Sequence, residues 1–467
     1  MSRNSVEPRS TGAAKAALLK LGEWSAEELG RRSMTRRAVQ AVIWGIPVVN
    51  FDLMYQAMVR DAKGGPNRIV YWSRLFDWKN QTLTPNPDAI YFMPLFDTRN
   101  GPMVLEVPAA GEGSITGSVM DCWQAALEDV GTAGVDKGRG GRYVITPPGY
   151  DGPVPSGAIV LTSGNYQGYG LLRSILKGGT EADIAKAVAY GKQIRLYPLA
   201  RPNPPETRYV DAIDVLFEAN IPYDLRFFES LHRMIQAEPW LERDRAMIDV
   251  LRTLGIEKGR PFTPDGPTAD ILETALEEAR AWFDLQYETR FTPHAPGARW
   301  FLPADPVLVE AVADGFAKTD VYPIDGRGLA YYYAFSSIRH IGAGQYYLFV
   351  TRDKDGDPLD GARRYRLTVP SDPPVRQYWS ATAYDFATHA LIRGTVHSSR
   401  SSQTIGLKTR PDGAVDVFFG PRPPPGEEAN WVPTAAGVRF EVLFRFYGPD
   451  KPLFDKTWIL PDIEKAS

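Results

Sequence analysis

The sequence contains a single cysteine, Cys122, and only five histidines among its 467 residues. An intrachain disulfide is therefore excluded, and so is any zinc or iron–sulfur site built from cysteines. No basic residue lies beside Cys122 in sequence to favour its thiolate, so we expect a buried thiol rather than a nucleophile. The chain does not depend on an oxidising compartment.

The chain also lacks a strong net charge and a long apolar run. Its 53 basic and 56 acidic residues give a formal charge of -3, which provides no long-range field to attract nucleic acid or an anionic membrane. The longest apolar run, Ala41 to Val49, contains Pro47 and is much too short to span a bilayer. The N-terminal segment shows no export signal, because Lys15 and Lys20 interrupt its Ala/Leu run. We expect a cytoplasmic protein whose partner is a small molecule.

Glycine and proline are abundant, with 42 and 39 copies, and this favours short strands joined by tight corners over a helical bundle. The chain is long enough for more than one core. The predicted fold is mainly β with helical segments: two jelly-roll-like antiparallel β-sandwich domains joined by a helical connector. The predicted boundaries are 1–37 for an N-terminal helical or flexible segment, 38–200 for the first β domain, 201–299 for the connector and 300–467 for the second β domain.

Two helical segments are predicted in some detail. Residues 25–59 carry apolar side chains at helical intervals, and Gly45 and Pro47 should break this run into two helices. In the connector, Thr268 is predicted to cap a helix with one apolar stripe from Ile271 to Trp282.

Three loop motifs suggest ligand sites but fail on spacing or context. In RDKDGDPLDG (Arg352 to Gly361), counting from Asp353 places Gly356 fourth and Arg364 twelfth, whereas a calcium loop needs glycine sixth and an acid twelfth. We interpret it as a solvated hairpin turn. SGNYQGYGLLRSIL (Ser163 to Leu176) has the wrong glycine spacing for dinucleotide binding. KGRGGRY (Lys137 to Tyr143) leads into a strand, so it cannot offer a helix N-terminus to a phosphate.

The segment Arg439 to Phe446 alternates cleanly and predicts a strand with two different faces. The face predicted to enter a core consists of Phe440, Val442, Phe444 and Phe446. The face predicted to meet solvent or a ligand consists of Arg439, Glu441, Leu443 and Arg445.

Two of the five histidines lie close together in YDFATHALIRGTVHSS (Tyr384 to Ser399). An acid, two bases and two anion clamps would lie at one strand-loop-strand edge. These residues are Asp385, His389, His397, Arg393 and Arg400. The plainer interpretation, ordinary polar residues on an exposed hairpin, stays open. A metal at His389 and His397 is a further alternative, although the spacing matches no standard site, and no cofactor is predicted.

Two short motifs in the first domain also carry polar candidates. Asp121 lies between Met120 and Trp123, surroundings that predict a raised pKa suited to acid catalysis. Asn86 and Asp88, in NPDAIY, directly precede an apolar segment and are also explained by an Asx-type turn that opens a strand.

Longer motifs resemble a known two-domain family. WGIPVVNFDLMYQAM, TPNPDAIYFMPLFD, GPMVLEVP and GRYVITPPGYDGPVP resemble domain of unknown function 1254. YPIDGRGLAYYYAF, DGDPLDGARRYRLTVP, VRQYWSATAYD and the tract from Asp412 to Glu464 resemble domain of unknown function 1214. The resemblance implies two jelly-roll-like sandwiches joined by helices, commonly assembled into oligomers, and it carries no catalytic mechanism.

The sequence supports two function hypotheses of different classes. The first is a hydrolase or lyase that acts on a small polar or glycosidic substrate in a cleft between the β domains. The second is a non-catalytic ligand-binding or oligomeric structural protein, whose cleft would hold aromatics and neutral amides without an ionisable pair. The candidate catalytic residues are Asp121, Asp385, His389 and His397. The candidate substrate-binding residues are Asn86, Asp88, Tyr91, Trp123, Trp379, Tyr384, Arg393, Arg400, Asn430 and Trp431.

Overall fold

A computed structural model describes residues 24–201, 205–334, 338–340 and 344–466. Residues 1–23 of the predicted N-terminal segment and residues 202–204 at the predicted domain boundary lie outside this range. The strands are β1 (Arg68–Tyr71), β2 (Asn80–Gln81), β3 (Ile90–Asp97), β4 (Met103–Val107), β5 (Ile115–Asp121), β6 (Ala126–Gly131), β7 (Gly141–Thr146), β8 (Ile159–Thr162), β9 (Gln167–Ser174), β10 (Arg195–Pro198), β11 (Tyr209–Asp211), β12 (Phe217–Glu218), β13 (Gln345–Val350), β14 (Tyr365–Val369), β15 (Val375–Asp385), β16 (Ala390–Leu391), β17 (Ser399–Ser401), β18 (Val415–Gly420), β19 (Trp431–Pro433), β20 (Phe440–Pro449) and β21 (Glu464–Lys465). The helices are α1 (Ala26–Gln56), α2 (Glu181–Gly191), α3 (Arg226–Ala237), α4 (Met247–Arg252), α5 (Gly266–Thr289), α6 (Pro306–Ala313), α7 (Ile324–Tyr333) and α8 (Lys451–Phe454).

The first β domain is built from two packed sheets. Their strand orders are β11-β1-β3-β9-β5-β6 and β10-β4-β7-β8. Both sheets fill one apolar core, to which the first contributes Phe92 and Leu172 and the second contributes Leu105 and Ile145. Strand β11 lies beyond the predicted domain boundary at residue 200, yet it pairs in parallel with β1. The first domain therefore takes a strand from the segment predicted as connector.

The second β domain repeats the two-sheet arrangement. One sheet has the order β13-β20-β15-β16, with β17 also paired to β15, and the other has the order β19-β18-β14-β21. The predicted core face of β20 is confirmed, because its four side chains are fully buried in the core between the two sheets: Phe440, Val442, Phe444 and Phe446.

A helical layer connects the two domains. Helix α1 packs against α3, α5 and α7. The same apolar cluster includes Tyr91 and Leu171 from the larger sheet of the first domain, and Leu443 from the larger sheet of the second. Each larger sheet thus turns one face toward its own sandwich core and the other toward the shared helices. The fold class predicted from sequence, mainly β with helical segments, is confirmed.

Helix α1 continues through Pro47, so the predicted break at Gly45 and Pro47 is wrong. Proline removes the amide that would have bonded to the Ile43 carbonyl. Gly328 of α7 packs against that carbonyl, since a Cβ atom on Gly328 would lie 2.5 Å from the Ile43 oxygen. Gly45 similarly allows α3 to pack closely, because a Cβ atom on Gly45 would lie 3.1 Å from the Leu231 side chain of α3. Close packing on these sides holds the helix together despite the missing hydrogen bond.

Together with the π-helical turn Ala57–Asp61, α1 forms a 36-residue helical segment. Within the described part of the chain, it is the helix long and apolar enough, by length and composition, to cross a membrane. However, 78% of its most apolar window is buried inside the protein. Here it serves as the central helix of the shared layer.

Helix α5 begins at a different cap from the one predicted. The N-cap is Asp265, whose side chain accepts a hydrogen bond of 2.9 Å from the Thr268 amide. Thr268 therefore lies inside the first turn of the helix. Pro267 occupies one of the first two helical positions, where proline is well tolerated.

The acidic turn after β13 is more buried than the predicted solvated hairpin. Asp353 is fully buried, and its Oδ1 accepts hydrogen bonds of 3.0 Å from the amides of Asp355 and Asp357. Lys465 Nζ lies 3.2 Å from Asp353 Oδ2 and 2.6 Å from Asp357 Oδ2. An ammonium group thus lies among the carboxylates that resemble a calcium loop.

Candidate ligand cavity between the two domains

A cavity of about 170 Å³ lies between the larger sheets of the two domains and helices α6 and α7. A cavity of about 150 Å³ in another protein is large enough to hold benzene. The walls of this cavity are mostly apolar, and α6 with its preceding loop contributes Leu302, Leu308, Val309 and Val312. A small organic molecule therefore fits the space and its chemistry.

Strands β13 and β20 form the wall from the second domain. Phe349 lies opposite Leu443, and Tyr347 lies opposite Arg445, and all four residues line the cavity. This is the face of β20 that the sequence predicts to meet solvent or a ligand. Arg445 is only 2% exposed, so the face meets the cavity and the first domain rather than bulk solvent.

Strands β3 and β9 form the corresponding wall from the first domain. Tyr91 on β3 lies opposite Arg173 on β9, and Leu171 precedes Arg173 by two residues on the same face. All three side chains line the cavity. They lie on the face of the larger sheet that is directed away from its own sandwich core and toward the shared helical layer.

Each domain thus places a tyrosine opposite an arginine on neighbouring antiparallel strands. The Arg173 guanidinium carbon lies 5.1 Å from the centre of the Tyr91 ring, and that of Arg445 lies 5.5 Å from the centre of the Tyr347 ring. These distances are typical of cation–π contacts. The two domains therefore present equivalent Tyr–Arg pairs to one cavity.

Arg445 bridges the two domains through neutral acceptors. Its Nη2 donates to the Thr84 carbonyl at 2.8 Å and to the Tyr384 hydroxyl at 2.7 Å. Its Nη1 donates to Thr382 Oγ1 at 3.1 Å. The Tyr384 hydroxyl in turn donates to the Pro85 carbonyl at 2.6 Å. The loop before β3 is thereby held against the second domain.

Arg173 makes far fewer contacts. Its Nε donates to the Tyr91 hydroxyl at 2.9 Å, and the described residues offer its two Nη groups no further hydrogen bond. The side chain is 5% exposed and lines the cavity. Within the described ranges, neither Arg173 nor Arg445 forms an ion pair with a carboxylate, and the phenols of tyrosines dominate the electrostatic surroundings of both.

The phenols around the two arginines are affected unequally. Burial raises the pKa of the Tyr447 hydroxyl, but the Arg173 and Arg445 charges, together with hydrogen bonds from Tyr347 and Asn86, hold its pKa below the ordinary value. Burial, reinforced by Tyr447, raises the pKa of Tyr347 well above its ordinary range. Both guanidinium groups act on both phenols, so their charges converge on one end of the cavity.

Comparison with known families supports the two-domain organisation. Residues 66–198 match the family described as Protein of unknown function (DUF1254), and residues 344–451 match Protein of unknown function (DUF1214). The chain is a DUF1254/DUF1214 protein. The Tyr91–Arg173 pair lies in the DUF1254 region, and the Tyr347–Arg445 pair lies in the DUF1214 region. The resemblance inferred from the sequence motifs is thus confirmed.

One solved structure shares this fold. The VPA0106 protein from Vibrio parahaemolyticus is 17% identical, with a TM-score of 0.57 over 93% of this chain and 100% of that one. A putative uncharacterized protein from Burkholderia cenocepacia is 12% identical, with a TM-score of 0.39 over 93% of this chain and 94% of that one. A comparison with curated proteins gives no match.

Among the residues described as lining the cavity of this DUF1254/DUF1214 chain, Tyr91 is the one that the sequence proposes as a site residue. Asn86 lies just behind it, where its Nδ2 donates to the hydroxyls of Tyr378 and Tyr447 at 2.9 Å each. The Asn86 amide also donates to the Tyr91 hydroxyl at 3.2 Å. Asn86 therefore ties the first domain to the tyrosines of the second, and predicted Tyr384 does the same through Pro85.

Asp88 and Arg400 meet at the same domain junction but outside the cavity lining. Ser399 Oγ donates to Asp88 Oδ2 at 2.5 Å, and burial raises the Asp88 pKa against this bond and the nearby Arg445 charge. Arg400 donates through Nε to the Ala429 carbonyl at 2.6 Å. Its Nη1 and Nη2 donate to two further backbone carbonyls. Burial lowers the Arg400 pKa to about 10. Arg400 thus holds backbone in place.

Asp121 and Trp123 lie at the end of β5, next to the helical layer. Burial raises the Asp121 pKa, in the predicted direction, while the Arg243 charge opposes the shift. Asp121 Oδ1 accepts a hydrogen bond of 2.8 Å from the Ala125 amide. Trp123 packs against Trp44 of α1 with ring centres 4.5 Å apart, and its carbonyl accepts a hydrogen bond from the buried Arg327. Neither side chain is part of the described cavity lining.

The structure separates the two histidines that are close in sequence. His389 is buried, and its Nδ1 lies 2.8 Å from Glu441 Oε1, while His389 Nε2 has no hydrogen-bond partner within the described ranges. His397 Nε2 instead bonds to the Trp431 carbonyl at 2.9 Å. Asp385 Oδ1 accepts the Ala387 amide at 2.8 Å and shapes the turn that precedes His389. No three His, Cys, Asp or Glu side chains of the described residues form a metal-binding group.

The remaining predicted site residues lie away from the cavity. Asn430 uses its side-chain oxygen and nitrogen on Lys408 and Asp416 backbone groups, and Trp431 Nε1 donates to the Gly420 carbonyl at 2.7 Å. Trp379 packs on Phe444 in the second core. Arg393 forms an exposed ion pair with Glu218 at 2.5 Å. These contacts account for the side chains within the fold.

Sequence reasoning did not propose the cavity arginines as site residues. In the sequence, Arg173 stands within a glycine-rich segment and Arg445 within an alternating strand. Each lies within an otherwise apolar strand, in the runs GLLRSIL and VLFRFY. Burying a charged residue in a strand costs free energy unless the charge is paired. An arginine within an apolar run is therefore a sequence signal for a functional site.

Proposed function

We propose that this protein binds a small organic molecule with an apolar body in the cavity between its two domains. The mostly apolar cavity, lined by a Tyr–Arg pair from each domain, carries this proposal. Leu302, Leu308, Val309 and Val312 would contact the apolar body. The Tyr91–Arg173 and Tyr347–Arg445 pairs would orient its polar end.

The chemistry of the lining favours binding over hydrolysis or elimination. None of the four candidate catalytic residues belongs to the described lining. Asp305 is its one described carboxylate, and both of its oxygens are engaged. Oδ1 accepts the Val307 amide at 2.9 Å to cap α6, and Oδ2 pairs with Arg290 at 2.5 Å. No histidine belongs to the described lining and its one carboxylate is engaged, so we propose ligand binding, in a cavity that holds buried arginines as well as the aromatics expected for that hypothesis.

Ligand-observed NMR with two probes, 3-phenylpropanol and 3-phenylpropionate, tests the proposal. Fragments of this size gain about 0.3 kcal/mol or more per non-hydrogen atom, so the method must detect weak binding. We expect at least one probe to bind the wild-type protein. We expect Val309→Trp to abolish this binding, because the indole would fill the cavity.

Val307→Trp is the matched control on the same helix. Val307 is 51% exposed and is not part of the described cavity lining, so binding should be retained. Circular dichroism and thermal melting would check that both variants fold. Failure of both probes to bind the wild type, or unchanged binding in Val309→Trp, would overturn the proposal.

A further inference from the structure

Building on the proposed function, we infer that the cavity selects an organic anion, with the carboxylate of an apolar-bodied molecule held between Arg173 and Arg445. The inference names the charge class of the ligand, which the proposed function leaves open. It predicts a preference for an acid over the neutral alcohol of the same shape.

Both arginines carry a buried positive charge. Arg173 is 5% exposed and Arg445 is 2% exposed, and both guanidinium groups stay protonated in proteins. A buried cation is costly unless it has a counter-charge. The described part of the chain supplies no carboxylate within ion-pair distance of either group. A bound anion would provide the missing negative charge.

The charges of the two arginines act on the same group of tyrosines. The phenols of Tyr91, Tyr347 and Tyr447 lie within electrostatic range of both arginines, although the arginines come from different domains. Two cations that surround the same three phenols can act on one ligand group. Arginine forks match the planar geometry of a carboxylate, which makes this group a better fit than a spherical anion.

Hydrogen-bonding capacity is unused at this end of the cavity. The Nη groups of Arg173 have no acceptor among the described residues. The Tyr347 hydroxyl is buried, and apart from the neighbouring Tyr447 phenol it has no hydrogen-bond partner among the described residues. These donors would serve a carboxylate directly, whereas an alcohol could use them only in part.

The test compares 3-phenylpropionate with 3-phenylpropanol by NMR titration at neutral pH. We expect the wild-type protein to bind the acid about tenfold or more tightly than the alcohol, as charge-assisted hydrogen bonds predict. Arg173→Gln should remove this preference while it changes the affinity for the alcohol less than about twofold, because the apolar walls stay intact. Tyr347→Phe should reduce the preference by a smaller factor.

Arg393→Gln is the control for general loss of positive charge, because Arg393 lies in an exposed ion pair and outside the cavity lining. The preference for the acid should survive in this variant. Equal binding of acid and alcohol to the wild type would overturn this inference but leave the proposed function standing. Binding of neither probe would overturn both. If Arg173→Gln does not fold, a preference for the acid that is the same in Tyr347→Phe as in the wild type would decide against the inference.

Discussion

The two Tyr–Arg pairs share geometry but differ in how their arginines are used. Arg445, in the second domain, donates to Thr84, Thr382 and Tyr384 and holds the two domains together. Arg173, in the first domain, donates only to Tyr91 among the described residues. The difference teaches that one member of an equivalent pair can stabilise the fold while the other keeps its donors for a ligand.

The largest expected effect follows from removing Arg445. Arg445→Met leaves several buried acceptors unpaired at the domain junction, so we expect a loss of about 3 to 5 kcal/mol in the free energy of unfolding. Arg173→Met breaks one protein hydrogen bond from a charged donor and should cost about 1.5 to 3 kcal/mol. Urea denaturation followed by tryptophan fluorescence measures both. Equal losses in the two variants would contradict the division of roles.

The next prediction compares Tyr169 and Glu441, which lie two residues before the cavity-lining leucines Leu171 and Leu443. Here the symmetry fails, because the first domain has Tyr169 and the second has Glu441, which bonds to His389 at 2.8 Å. Glu441→Gln should lower the free energy of unfolding by about 1 to 3 kcal/mol, the cost of mispairing a fully buried polar group. Tyr169→Phe should cost about 1 kcal/mol. The same denaturation assay ranks them, and a larger loss for Tyr169→Phe would reverse the comparison.

A third prediction concerns the stability of the Glu238 contact with the first domain as pH rises toward neutral. Glu238 Oε2 accepts the Tyr166 amide at 2.7 Å, and burial raises the Glu238 pKa to about 7, above the ordinary value near 4.5. Because the folded state holds the proton more tightly, this contribution to stability is present below pH 4.5 and is lost as pH rises through 7. Glu238→Gln should remove that loss, which urea midpoints at pH 4.5 and pH 8 would reveal. Glu242→Gln, at an 87% exposed side chain, should behave as wild type.

The smallest expected effect concerns acidic pH and the second domain. Burial, aided by Arg400, lowers the His397 pKa to about 4, below the value near 6.5 of an unfolded chain. This contribution to stability is therefore present above pH 6.5 and is lost as pH falls toward 4. His397→Gln keeps a donor for the Trp431 carbonyl and should weaken this acid sensitivity in the same urea assay. An unchanged acid profile in the variant would show that other groups control it.

Much of the architecture could be predicted from local pattern. The alternation from Phe440 to Phe446 predicted both faces of β20, because strand side chains alternate whatever lies around them. The continuity of α1 could not be predicted in this way. Pro47 breaks helices in most surroundings, and only the packing of α3 and α7 on α1 explains why it does not do so here.

The cavity was less predictable than the fold. Tyr91 and Asn86 were proposed through a motif, and both lie at the domain junction. Arg173 and Arg445 are 272 positions apart in sequence, and only the pairing of β3 with β9 and of β13 with β20 shows that they serve one cavity. Asn430 and Trp431 illustrate the opposite case, since a conspicuous polar–aromatic pair is fully explained by backbone hydrogen bonds.

The contact between Gly328 and the Ile43 carbonyl sets a dimension of the cavity. Helix α7 carries Tyr331 and Tyr333 of the lining, and it meets α1 backbone to backbone at this point. Gly328 brings no side chain to this contact, and the Ile43 carbonyl lies directly against its Cα, so repacking on the α7 side cannot bring the two helices any closer. The position of this wall is thus fixed by peptide geometry, and natural or engineered variation in what fits the cavity would have to come from the sheets and from α6.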